Sequence, residues 1–164
     1  MENYWEAVQG KRTPGQPVLF LDVDGVLNCE QDFRDGHQLC QRKVKMLNDL
    51  PPCDIVVSSS WRIGVYGELI VSLKWMGLKK PVIGRTGGHF LLDEAENLWS
   101  LRGHEIQKWL DENGNPNFAI VDDDSDMLEA QLPHFVQTNF LDGLTHGGVR
   151  RLSQILQPIA AQAA

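Results

Sequence analysis

Three short apolar runs each end in a polar cluster, and that recurrence constrains the fold more than any other feature of the chain. Residues 18–23 hold five apolar residues in six and run into Asp22, Asp24 and Gly25. "DIVV" at 54–57 runs into "SSSWR", and "FAIV" at 118–121 runs into "DDDSD". Between these runs lie stretches with helical spacing. Leu39, Val44, Leu47 and Leu50 mark a helix over 39–50 that Pro51 and Pro52 stop. A second helix is predicted over 67–76, with Leu69, Ile70, Leu73, Trp75 and Met76 available to a core. Two more follow at 103–110, carrying Ile106, Trp109 and Leu110, and at 149–156. Short apolar runs at 81–84 and 135–138 supply further strands. Strands alternating with helices imply βαβ units, hence an α/β, Rossmann-like fold of three layers with a mainly parallel sheet. In such sheets ligands bind beyond the carboxyl ends of the strands. The three polar clusters are therefore expected along one edge.

The remaining organisation is simple. Residues 1–16 read as an N-terminal arm ending in a Thr-Pro-Gly turn, 17–157 as one catalytic-sized domain and 158–164 as a C-terminal tail. A chain of 164 residues can bury one core. No apolar run is long enough to span a membrane. The N-terminal stretch has no apolar signal core, and the three cysteines form no CxxC pair; both predict a cytoplasmic protein. The net charge of −7 argues against a broad basic nucleic-acid footprint. Six of the negative charges, however, are Asp22, Asp24, Asp122, Asp123, Asp124 and Asp126. If these share one site, the rest of the surface is nearly neutral.

The clusters suggest their own chemistry. Asp22 and Asp24 point to the same face of a continuing strand, and Gly25 permits a sharp turn. Carboxylates this close repel, and one takes up a proton unless a cation intervenes. Mg²⁺ prefers oxygen ligands and accepts one or two carboxylates together with a substrate phosphate. Turn aspartates capping the next element are the plain alternative for either cluster; Ser125 or Asp126 fits as a cap for a helix starting near Met127. Two acidic clusters at the ends of two parallel strands favour the shared cation. Ser58, Ser59 and the backbone N–H groups of a strand-to-helix junction suit an anion, and Arg62 can grip phosphate bidentately. Arg102 opens a helix one element before the acidic cluster and can place a second cation near that anion. The fitting mechanism is phosphoryl transfer to Asp22, with Asp24 as general acid and base. Trp61 either stacks on a base or packs on the sheet. Trp75 and Trp109 are expected in the core. His37 lies in a short flap over 29–38, within reach of a substrate. His89, His104, His134 and His146 show no zinc spacing.

"FLDVDGVLN" resembles the first motif of the haloacid dehalogenase (HAD) superfamily, "DIVVSSSWR" its second and "FAIVDDDSD" its fourth. The resemblance implies that Asp22 is the nucleophile and Asp24 the acid/base. It implies that Ser58, or next Ser59, is the second-motif hydroxyl, and that Asp123 is a direct Mg²⁺ ligand with Asp122 and Asp126 in support. The third motif is usually a lysine; here Arg102 or Lys108 takes its interval. Asp24 separates the chain from the superfamily's dehalogenases and favours phosphate chemistry. The intervals before Ser58 and before Arg102 leave room for a minimal cap or none. Together with "RGHEIQKWL" and "FLDGLT", the motifs look like the small HAD domains of multidomain RNA-repair proteins. That implies a phosphorylated substrate, an RNA or DNA end or a nucleotide, and a repair ligase or kinase as partner. A small-metabolite phosphatase is the runner-up, and a non-catalytic phosphate-binding or phospho-switch module the reading from another class.

Overall fold

Residues 18–21, apolar without exception, form a strand buried on both faces, β1 (Val18–Leu21). It is the centre of a five-stranded sheet. The other strands are β2 (Asp54–Val57), β3 (Val82–Arg85), β6 (Phe118–Asp122) and β7 (Phe135–Gln137), and every pairing is parallel. The order is β3-β2-β1-β6-β7. The structure, a computed structural model, describes residues 4–87, 91–92, 98–99 and 101–157. His89 and the 158–164 tail lie outside the described residues.

The period of two along each strand divides the core in two. Leu19, Leu21, Ile55, Val57, Ala119 and Val121 face a larger cluster. It is completed by α3 (Gln41–Met46), α4 (Tyr66–Trp75) and α6 (His146–Leu156). Val18, Phe20, Val56 and Ile120 face α5 (Arg102–Glu112), which contributes Ile106 and Leu110. Trp109 packs edge-on against Phe20 with ring centroids 5.4 Å apart. These are the three layers the alternation predicts.

Several local expectations are corrected. Trp75 is not core: it is 85% exposed on α4, whereas Leu69, Ile70 and Leu73 are buried. The arm contains a helix, α1 (Tyr4–Val8), that packs on α4; Lys74 Nζ donates to the Val8 carbonyl at 2.6 Å. Arg12 then ties the arm to the sheet by donating to Asp54 at 2.5 Å. The flap is a short helix, α2 (Glu30–Arg34), pinned to the 139–145 loop through stacked Phe33 and Phe140. Between β3 and α5 a small antiparallel pair, β4 (Leu91–Leu92) and β5 (Leu98–Trp99), was not expected; two residues per strand leave no period to read. The helix expected near Met127 is a 3₁₀ segment over Glu129–His134, and neither Ser125 nor Asp126 caps it. Among the described residues no helix is long and apolar enough to cross a membrane.

Candidate active site

Polar clusters follow β1, β2 and β6, and the topology brings all three to the carboxyl edge. From β1 the chain winds outward to β2 and β3, then returns to lay β6 on the other side of β1. The crevice at such a reversal is where open α/β sheets bind ligands. Leu21 lies opposite Val121, so Asp22 emerges beside Asp122, and the Asp22 N–H donates to the Val121 carbonyl at 3.1 Å.

Oxygens of Asp22, Asp122 and Asp123 all lie within 4.8 Å of one another. Asp22 is 6% exposed and Asp122 1%. Burial pushes the Asp122 carboxyl up to about 8, and the neighbouring Asp22 charge adds to the effect. Burial also raises Asp22, against the opposing pull of the Val23 N–H, the Arg102 guanidinium and the Ser59 hydroxyl. Asp122 Oδ1 accepts the Asp124 N–H at 3.0 Å. Asp122 Oδ2, fully enclosed, accepts no hydrogen bond among the described residues and sits 3.5 Å from Arg102 Nε. Two buried carboxylates and a half-buried third converging on one point, with an orphaned oxygen, form a donor set suited to a hard cation such as Mg²⁺.

Two of the five acids expected at a metal are engaged elsewhere. Asp24 Oδ1 accepts from Asn28 Nδ2 at 2.9 Å, and Oδ2 accepts from Trp61 Nε1 at 3.1 Å. Asp126 Oδ2 accepts the Arg102 N–H at 2.9 Å, so it caps α5 rather than joining the trio. Gly25 holds φ +75, and a Cβ there would run into the Asp123 carboxylate. The turn after β1 thus needs glycine both for its backbone and for the closeness of the two acidic loops.

Of the serines, Ser59 accepts the Trp61 N–H on its hydroxyl at 3.3 Å and draws the Asp22 pKa down, while the Ser58 hydroxyl is buried with no hydrogen-bond partner among the described residues. Arg62 reaches the site region but is buried: Nη1 donates to the Ser59 carbonyl at 2.9 Å and Nη2 to Glu105 Oε1 at 2.8 Å. Burial lowers its pKa, and Glu105 opposes that. Glu105 Oε2 lies 3.7 Å from Arg102 Nη1, so one buried carboxylate holds both arginines. Lys108 pairs with Glu112 on the exposed side of α5, away from the carboxylates. Arg102, not Lys108, is the cation beside them.

Sequence reasoning missed Asn28, Glu105 and Thr138. Asn28 is fully buried; its Oδ1 accepts the Gly25 N–H, while Nδ2 reaches both Asp24 and the Gln38 carbonyl. Thr138 Oγ1 donates to the Gly25 carbonyl at 2.6 Å. The available signal for Asn28 was its place four residues after Asp24 inside a turn. Glu105 sits one helical turn after Arg102 and so shares its face.

The fold and the acid-lined crevice define a HAD-type domain, a class made up in general of hydrolases of phosphatase type. The profile described as "HAD domain in Swiss Army Knife RNA repair proteins" matches residues 18–149, and the chain belongs to that family. No curated protein and no solved structure matches the chain significantly.

Proposed function

We propose that this protein is a Mg²⁺-dependent phosphomonoesterase acting through an aspartyl-phosphate on nucleic-acid ends or nucleotides. The carrying observation is the division of labour between two neighbouring carboxylates. Asp22 sits in a trio with buried Asp122 and half-buried Asp123, whereas Asp24 is held apart by two neutral N–H donors. An Asp22 oxygen attacks phosphorus and the bond to the leaving oxygen breaks. Asp24 gives its proton to that oxygen, then takes one from the water that hydrolyses the aspartyl-phosphate. Phosphate leaves and Asp22 is regenerated. Arg102 stabilises charge on the transferred oxygens, and Ser59 orients Asp22. Glu105 and Arg62 position Arg102 from behind. Asp22, Asp122 and Asp123 would hold Mg²⁺, which when bound neutralises the phosphate and the acids. The choice of a nucleic-acid end or nucleotide as substrate leans on the family's description as a domain of RNA-repair proteins.

The test is hydrolysis of p-nitrophenyl phosphate with Mg²⁺, with EDTA and with Asp22→Asn. Metal-dependent turnover that Asp22→Asn abolishes is expected. A folded protein without turnover in any of these, or an undiminished Asp22→Asn variant, defeats the reading.

A further inference from the structure

A groove of about 430 Å³ opens along the start of α4, lined by Gln38, Trp61, Ile63, Val65 and Glu68 among others. It adjoins the catalytic crevice through two bonds. Trp61, one of its walls, donates its ring N–H to Asp24 at 3.1 Å. Gln38, another wall, accepts with its carbonyl from the Asn28 amide that also holds Asp24. Asp24 therefore stands between Asp22 and the groove. We infer that this groove seats the leaving group, and that the leaving group is a single uncharged nucleoside lying against Trp61 rather than a polynucleotide chain; the inference rests on the phosphatase reading above.

Three features select that chemistry. The general acid must face the leaving oxygen, so what that oxygen carries extends past Asp24 toward Trp61. One lining residue is the half-buried indole of Trp61, packed partly against the core and flanked by aliphatic neighbours. Ile63 is 69% exposed and Val65 43%, an apolar floor offered to water beside a ring on which a base can stack. The single ionisable residue among the described walls is Glu68. Among the described residues no lysine or arginine lines the groove to meet a phosphodiester, and a chain running along it would bring its phosphates against that carboxylate. A nucleoside carries polar edges for Gln38 and no charge for Glu68 to repel. The size lies in the range of small-molecule sites.

The experiment compares kcat/KM for nucleoside monophosphates, for glycerol phosphate and for oligonucleotides ending in the same phosphate, using wild type, Ile63→Asp and Glu68→Lys. Ile63 and Glu68 are exposed, so neither change threatens folding. The wild type is expected to favour nucleoside monophosphates over both others by about tenfold or more. Ile63→Asp is expected to shrink the nucleoside-to-glycerol ratio by about tenfold, and Glu68→Lys to raise the oligonucleotide-to-nucleotide ratio. A general loss of structure lowers all substrates and leaves the ratios intact. Equal use of glycerol phosphate and nucleotides, oligonucleotides preferred by the wild type, or ratios insensitive to Ile63→Asp would overturn the assignment. If no ester turns over, the phosphatase reading has failed, and titration of unphosphorylated adenosine judges the groove separately: binding weakened by Ile63→Asp supports it, and no binding to the wild type rejects it.

Discussion

Removing the cation should make the protein less stable at high pH, with Asp122 the leading member of the buried pair it forms with Asp22. The Asp122 carboxyl is 1% exposed and is pushed from 3.8 up to about 8, first by burial and then by the Asp22 charge. A folded-state pKa above the unfolded one contributes stability that is fully present below the unfolded pKa. That contribution is lost as pH rises through the folded value. Without metal, stability should therefore fall between about pH 4 and pH 8. A shift of roughly four pKa units is worth at most about 6 kcal/mol at 1.36 kcal/mol per unit. Arg102 at 3.5 Å and water entering an open crevice reduce this, and a swing of about 2–3 kcal/mol is expected. For a domain of this size that is roughly 5–10 °C in Tm. The assay is thermal unfolding in EDTA from pH 5 to 9, on wild type and Asp122→Asn. The amide keeps the shape without the charge. The variant should equal the wild type near pH 5 and exceed it by several degrees at pH 8. Mg²⁺ at a hundredfold excess over its Kd should restore the wild type at pH 8 by about 2.7 kcal/mol and leave the variant nearly unmoved. Parallel pH curves for the two proteins, or a wild type indifferent to Mg²⁺, would refute the assignment of a buried cation-requiring pair.

Three further outcomes follow from contacts around the site. Asn28→Ala leaves the buried Gly25 N–H and one Asp24 oxygen without their partner; it should cost about 1–3 kcal/mol in denaturant melts and lower kcat more than it raises KM. Glu105→Ala strips the partner from buried Arg62 and loosens Arg102; a loss of about 3–5 kcal/mol is expected, visible as a lower Tm at neutral pH. Trp75→Ala should change stability by less than about 0.5 kcal/mol by the same measurement, because the side chain is 85% exposed.

The legible parts of the chain were those set by local period and by charge that a core cannot absorb alone. An apolar strand ending in two carboxylates has few homes, and the carboxyl edge of a parallel sheet is one of them. Trp75 shows where period was misread. Leu69, Ile70 and Leu73 share one side of α4, and a residue two places beyond Leu73 turns about 200° away, onto the opposite face. Trp109 obeys the same arithmetic in its favour, being three residues from Ile106 and adjacent to Leu110. Asp126 and Arg62 were unreadable for another reason. Their side chains answer to partners far along the chain, the Arg102 N–H and Glu105, and no spacing within "DDDSD" or "SSSWR" reveals which long-range donor or acceptor will arrive. The start of α5 took the acid that the family resemblance assigned to the metal.

The deeper division is between Asp22 and Asp24, which sequence makes near equals. In a straight strand both would enter one environment, compete for one cation and titrate together. The left-handed turn at Gly25 prevents this, and its tightness against Asp123 permits no side chain at that point. Asp22 stays with the sheet beside Asp122 and Asp123, where burial raises its proton affinity until a cation arrives. Asp24 is carried into the turn, half-buried, where an amide and an indole N–H occupy one lone pair of each oxygen. Environment rather than residue type assigns such roles: the acid sharing a cation is suited to attack phosphorus, and the acid held by neutral donors is suited to move a proton. The same turn fixes the direction of departure. Because Trp61 holds Asp24 from the start of α4, the proton that Asp24 is proposed to deliver, and the group that would receive it, are assigned to that side of the crevice.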